Sequence, residues 1–285
     1  MKISVKYLVI TLISICLVVA AGIKTARAVQ ENALHIGGTG SGIGTMELMA
    51  AAFQKKHPGI GVHVLPSIGS AGGIKAVAAG KLDIAVTSRP LKPEEKSPEL
   101  IEEPYGNTPL VFASDAANPL RNLAMEEIEA LYSGARTIWP DKRQVRLVLR
   151  PLTDAYTVYL ESFSVNMKAA VAKAHAVPGV FVGATDHEAA EQIEKTPGAF
   201  GVTSLSMILS KKKRLRVFAV DGTEPTTKNL VSGRYPYFMT LSLVYRTGSY
   251  SGVVKDFVEF VYSKEGRRIL EEAGHAPLPR RGRNQ

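Results

Sequence analysis

The chain has 285 residues, 45% of them hydrophobic and 21% charged, and a formal net charge of +9. Lys2, Lys6, Lys24 and Arg27 crowd into the first 28 residues without an acid, and Arg280, Arg281 and Arg283 into the last six, which leaves the body near +2. A body so close to neutral, with no basic face interleaved with aromatics, argues against nucleic-acid binding, and the single cysteine, Cys16, excludes a disulfide framework.

Residues 1–28 read as a secretory leader. Lys2 and Lys6 precede an apolar run from Leu8 to Ala21, and Ala26-Arg27-Ala28 is a small-x-small cleavage site. The alternative is an uncleaved anchor, but the run falls short of the roughly 20 residues that span a bilayer. Ile15 stands where a lipoprotein signal needs a small residue before its cysteine, so lipidation is not expected. Export would place the mature chain in a periplasm, where it carries no cysteine.

Leu34 to Gly37 reads as a short buried strand, followed by the glycine-rich loop GGTGSGIGT (Gly37 to Thr45). From Thr45 to Lys56 the spacing of Met46, Met49, Ala50 and Phe53 predicts an amphipathic helix, stopped by His57-Pro58-Gly59. Val62 to Leu65 is the next strand. A second small-residue loop, SIGSAGGIKA (Ser67 to Ala76), then opens a helix over about 72–79, with Gly80 at its C-terminal cap. Asp83 to Val86 is a third strand, ending in Thr87-Ser88-Arg89. This β-α-β-α-β alternation predicts a parallel sheet with helices on both faces.

Two extended apolar runs, Asn107 to Ser114 and Arg234 to Arg246, bracket about 120 residues. They fit a second lobe inserted into the first: lobe 1 over 29–112, the inserted lobe over 113–236, a return to lobe 1 over 237–279, and a basic tail over 280–285. Within the insert the pattern predicts a helix over 125–132, a strand over 146–149, a helix over 157–174, a strand near Val180 and a helix over 188–195. Val253 to Ala273 reads as one long amphipathic helix or a broken pair. The run KKKRLR (Lys211 to Arg216) reads as a solvated turn.

The two loops carry the chemistry. The first turn of a helix leaves backbone N–H groups unpaired at the positive end of its dipole, so anions bind there, and glycines let them approach closely. Thr39, Ser41 and Thr45 in one loop, and Ser67 and Ser70 in the other, add hydroxyls; Thr87, Ser88 and Arg89 add two more and a cation. Strands of one parallel sheet bring all three to the same carboxyl edge. Arg89 alone is compatible with a surface ion pair as well as a ligand donor. RPLTDAYT (Arg150 to Thr157), after a strand and before a helix, is the candidate for the opposite jaw; it reads equally as a plain turn with Asp154 or Thr153 as the helix cap. No phosphate-cradling nucleotide motif is present: no lysine follows the first glycines, and Ile43 breaks G-x-G-x-x-G. The six histidines show no metal-ligand spacing, and Gly40-Ser41-Gly42 lacks the frame of a hydrolase nucleophile elbow, so neither a metal, a cofactor nor an enzyme is expected.

SIGSAGGIKAVAAGKLDIAVTSRPL (Ser67 to Leu91), LYSGARTIWPD (Leu131 to Asp141), GAFGVTSLS (Gly198 to Ser206) and VKDFVEFVYSKEGRRILEEAGHAPLP (Val253 to Pro279) together resemble the phosphate-type solute-binding proteins of ABC importers. That resemblance covers nearly the whole mature chain. It implies an α/β, two-lobed periplasmic-binding-protein fold, each lobe a mainly parallel sheet flanked by helices, joined by two crossing hinge segments. It implies further that a monomer captures an inorganic oxyanion, phosphate first, and docks on a membrane permease. Carried over by position, it implies Gly40, Ser41, Ser70, Thr87, Ser88 and Arg150 as ligand residues; Thr39, Ala71, Arg89, Asp154 and Thr157 complete the candidate set. Two positions depart from the family. Ser88 stands where phosphate binders have an aspartate that accepts a proton from the ligand, and Asp154, Ala155 and Tyr156 replace a serine-glycine-threonine triplet. Asp154 is open to two roles, a restored acceptor or a partner of Arg150 or Arg89. Sulfate, molybdate or tungstate as solute, and sensing without transport, stand as alternatives.

Overall fold

A computed structural model describes residues 33–280. The leader with Cys16, and Arg281 and Arg283 of the basic tail, lie outside the described residues. Lobe 1 opens with β1 (Ala33–Gly38), α1 (Gly40–Lys56), β2 (Gly61–Val64), α2 (Gly69–Ala78) and β3 (Ile84–Thr87). β4 (Leu100–Asp115) runs out of it, and then come β5 (Asn122–Leu123), α3 (Met125–Ser133), β6 (Arg146–Leu149), α4 (Ala155–Glu161), α5 (Val165–His175), β7 (Phe181–Val182), α6 (Asp186–Lys195), β8 (Ala199–Ser204) and α7 (Leu205–Ser210). β9 (Leu215–Val217), β10 (Ala219–Val220) and α8 (Thr227–Val231) precede β11 (Phe238–Arg246), α9 (Gly252–Tyr262), α10 (Lys264–Glu272) and β12 (Ala276–Pro277).

One continuous sheet threads both lobes in the order β2-β1-β3-β11-β4-β8-β6-β7. Its two wings are parallel, β2-β1-β3 in one lobe and β8-β6-β7 in the other. The middle is antiparallel: β11 pairs with both β3 and β4, and β4 pairs with β8. Each lobe thus contributes a parallel wing, and the sheet as a whole is mixed because β11 runs antiparallel to both β3 and β4 and β4 antiparallel to β8. β4 leaves β11 at Pro109 and joins β8 at Leu110.

Two sequence expectations need correction. The first glycine loop is not a loop, since α1 begins at Gly40 and takes the glycines into its first turns. The helix expected over 157–174 is two, because Ser164 turns its hydroxyl onto the Met167 amide and starts α5 afresh. Of the two readings left open for Val253 to Ala273, the broken pair is the one observed, restarted at Ser263, whose side chain accepts from the Gly266 amide. Ser and Thr end helices this way by offering the backbone an alternative partner. Among the described residues no helix is long and apolar enough to cross a membrane.

Apolar burial follows the same geometry. Phe112 on β4 and Phe200 on β8 stack at 6.1 Å, and Tyr132, Trp139 and Phe218 pack around Phe200, all fully or nearly fully buried. The Trp139 indole donates to the Gly198 carbonyl at 2.9 Å, which fixes the turn entering β8. In lobe 1, His275 is wholly buried beside β4, and its Nε2 meets the Thr45 hydroxyl of α1 at 2.9 Å. Burial pushes this imidazole down to about 3 from 6.5. The native state thus holds His275 neutral, while the unfolded chain charges it below its ordinary value. Stability from this group is present above that value and lost as pH falls through the interval. Wild-type protein should lose about 1.4 kcal/mol more than His275→Gln between about pH 7.5 and about pH 5.5, measured by urea unfolding.

Candidate anion-binding site

Helix starts and strand ends from both lobes meet at one place. β1 ends at Gly38, the Thr39 amide donates to the Val86 carbonyl at 2.8 Å, and α1 begins. Beside it, β3 ends in Thr87-Ser88, and the Ser88 amide donates to the Ser70 hydroxyl of α2 at 3.1 Å. The Ser88 hydroxyl lies 3.4 Å from that of Ser70 and 3.3 Å from that of Thr39. Thr39, Ser41, Ser70 and Ser88 are all buried. Small hydroxyl side chains so placed supply donors or acceptors according to what lies among them.

The opposite wall comes from lobe 2, where β6 ends and Arg150 begins the turn into α4. Arg150 is 4% exposed. Its guanidinium donates to the Gly183 carbonyl at 2.6 Å and to Asp154 Oδ2 at 2.9 Å, and its Nη2 lies 3.9 Å from Asp186 Oδ2. Its Nε is buried with no partner among the described residues, as is the Thr87 hydroxyl. Burial works against the guanidinium charge, but Asp186 and Asp154 outweigh it and hold Arg150 above its ordinary value. Asp154 also accepts from the Tyr156 amide at 3.0 Å, so it caps α4 and pairs with Arg150 at once. Burial and the neighbouring Asp186 charge hold its carboxyl above the usual carboxylate range.

The lobes touch through this cluster. The Ser41 and Tyr156 hydroxyls meet at 2.8 Å, Ser41 donates to Asp186 Oδ1 at 3.2 Å, and Thr39 donates to Asp186 Oδ2 at 3.4 Å. The Ser206 hydroxyl of α7 donates to the Ser41 carbonyl at 2.8 Å. At the rim, Lys211 donates to both carboxylate oxygens of Glu47 at 2.7 and 2.6 Å, so this lysine of the basic run is paired across the cleft rather than solvated. Two glycines of α1 permit the approach: a Cβ on Gly40 would lie 2.7 Å from the Asp186 side chain, and one on Gly44 would lie 2.3 Å from Ser210 Oγ.

A family model of the PBP superfamily domain matches residues 25–265. The chain belongs to the PBP superfamily. Among its relatives, Protein SphX of Synechococcus elongatus is 28% identical over 260 residues, covering 82% of this chain and 74% of that protein. The phosphate-binding protein PstS of Bacillus subtilis is 22% identical over 242 residues, covering 81% and 76%. A Clostridium perfringens protein solved with bound phosphate superposes with a TM-score of 0.73 at 24% identity, covering 87% of this chain and all of that one. An ABC-type phosphate transport receptor from Vibrio cholerae gives 0.61 at 21% identity, covering 86% and 100%. These neighbours share the two-lobed α/β fold of the superfamily.

Within this PBP-superfamily protein, the expected ligand residues fall into two groups. Thr39, Gly40, Ser41, Ser70, Ser88, Arg150 and Asp154 are brought to the cleft, with Thr87 buried just behind it. Arg89 and Thr157 are not, and Ala71, in the first turn of α2, offers only its backbone amide. Arg89 closes a two-pronged ion pair with Glu95, at 2.6 and 2.7 Å, and donates again to the Pro90 carbonyl, so its fork is already filled. The Ala71 side chain is exposed and lines an outer groove with Lys75 and Lys92. Thr157 turns inward and donates to the Arg150 carbonyl at 3.2 Å. Sequence reasoning missed Asp186, Tyr156 as an interlobe donor, and Ser206. Gly183-Ala184-Thr185-Asp186 lies between a strand and a helix, like the other two loops, and that pattern could have found Asp186. Replacing Tyr156 with Phe removes one buried interlobe hydrogen bond while Ser41 keeps Asp186. The variant should lose about 1 kcal/mol of stability in denaturant unfolding.

Proposed function

We propose that the protein traps a tetrahedral oxyanion, inorganic phosphate first, between its lobes and presents it to the permease of an ABC importer. The observation that carries this reading is the convergence of four buried hydroxyls (Thr39, Ser41, Ser70, Ser88) and the start of α1 on Asp186, which lies beside the Arg150 guanidinium of the other lobe. Such a donor set replaces the hydration shell of an oxyanion, and a guanidinium matches its geometry. The phosphate-binding protein PstS of Bacillus subtilis and the phosphate held by the Clostridium perfringens neighbour support the same solute.

The chemistry is capture rather than turnover. β4, which passes from one lobe into the other, and the segment that returns the chain to lobe 1 at β11 serve as the hinge, and closure brings the Arg150 turn onto an anion first held by α1, α2 and the end of β3. Asp154 keeps a carboxylate at the Arg150 side of the cleft. A fully ionised sulfate is repelled there, whereas phosphate can bring a proton. A cleaved leader over residues 1–28 would deliver the protein to the periplasm, where it acts as a monomer without a metal or cofactor.

Calorimetry with inorganic phosphate tests the site. Arg150→Ala should weaken binding about 100-fold or more, because it removes a charge-assisted donor and strands buried carboxylates, and Ser70→Ala about 10-fold. Arg89→Ala should leave affinity within about twofold, since a partly exposed ion pair away from the ligand contributes little to binding. Unaltered affinity in Arg150→Ala and Ser70→Ala would refute the cleft as the site. A thermal-shift series with phosphate, sulfate, molybdate and tungstate reads the solute directly, because a ligand that binds only the native state raises the midpoint.

A further inference from the structure

Asp186 is a carboxylate seated among donors that suit an oxyanion. It is 4% exposed, and it belongs to lobe 2 while two of its partners, Ser41 at 3.2 Å and Thr39 at 3.4 Å, belong to lobe 1. The oxygen that takes the Thr39 hydroxyl is also the one 3.9 Å from Arg150 Nη2. The side chain lies against Gly40, the first residue of α1, where any Cβ would collide with it. α1 has no acidic residue in its own first turn, and Thr39 makes no side-chain cap bond. The negative charge that a helix start favours is therefore supplied from the other lobe.

Local structure does not need this carboxylate. Thr185 already caps α6 by accepting from the Glu188 amide at 3.1 Å, and Asp154 already pairs with Arg150 at 2.9 Å. What Asp186 uniquely does is join the hydroxyls of one lobe to the guanidinium of the other. A bound anion of the class proposed above would make the same junction with the same groups.

We propose that Asp186 is the cleft's internal ligand: its carboxylate holds the lobes together when no solute is bound, and an oxyanion binds by displacing it. The proposal rests on the reading of the cleft as an oxyanion site. Self-occupied molecules cannot bind until the carboxylate leaves, so apparent affinity is reduced by the fraction of molecules free to bind. Asp186 thereby sets the solute concentration at which the protein loads.

Asp186→Ala and Asp186→Asn test this, with circular dichroism to check the fold. Small-angle scattering of the unliganded proteins should show a larger radius of gyration in Asp186→Ala than in wild type. Calorimetry with inorganic phosphate should show Asp186→Ala binding about 10-fold more tightly, and Asp186→Asn, which keeps the shape without the charge, tighter than wild type as well. A folded Asp186→Ala variant with weaker or equal phosphate affinity would overturn the proposal, since it would make Asp186 a partner of the bound anion or a bystander. If wild-type protein binds no phosphate, the functional reading fails on its own. Scattering then decides alone, and an unchanged radius of gyration in Asp186→Ala overturns the internal contact.

Discussion

The buried guanidinium of Arg150 is the constraint around which the rest is arranged. Taking such a group out of water costs several kcal/mol unless its donors and its charge are met. Here the Gly183 carbonyl and Asp154 take two of its nitrogens, Asp186 adds charge, and Thr157 and His175 hold its backbone carbonyl from behind, His175 at 2.9 Å. These partners come from the ends of β6 and β7 and from α4, α5 and α6. The parallel wing of lobe 2 therefore has to place its strand ends side by side for Arg150 to be tolerated at all. Geometry that satisfies the cation also points it at the other lobe.

Lobe 1 answers with neutral dipoles instead of charge. Thr39, Ser41, Ser70 and Ser88 are small, and each can switch between donor and acceptor, so the cluster stays satisfied with a carboxylate or with a solute in its midst. An interlobe path of hydrogen bonds runs on from it. Ser41 passes through its carbonyl to Ser206, whose amide donates to the Thr108 hydroxyl at 3.1 Å; Thr108 in turn donates to the Gly274 carbonyl at 3.0 Å, next to His275. Binding groups, the crossing strand β4 and the C-terminal return to lobe 1 thus share one buried polar seam.

Much of this was legible in the sequence because local pattern carried it. The short buried strands, the small-residue helix starts and the Thr87-Ser88 strand end each announced their place within a few residues, and the parallel topology brought them together. The extent of α1 was misread because glycines weaken helix propensity, while here Gly40 and Gly44 are kept for the closeness of Asp186 and Ser210. Arg89 stayed open between an ion pair and a ligand donor for want of a partner visible at the right range: Glu95 lies six residues on, in a turn whose shape no spacing rule gives. Asp186 was missed because its meaning is purely tertiary, with Ser41 145 positions away along the chain. The basic run at Lys211 hid an interlobe pair for the same reason.

The sixteen-residue strand β4 carries one further implication. Its first ten residues complete the ladder of lobe 1, and its last six begin that of lobe 2, with no loop between them. Fraying that starts on either side must unzip a rung belonging to the other. The molecule should accordingly melt in a single cooperative step despite its two-jawed outline, and cutting the insert out would leave a torn sheet edge rather than a self-sufficient half.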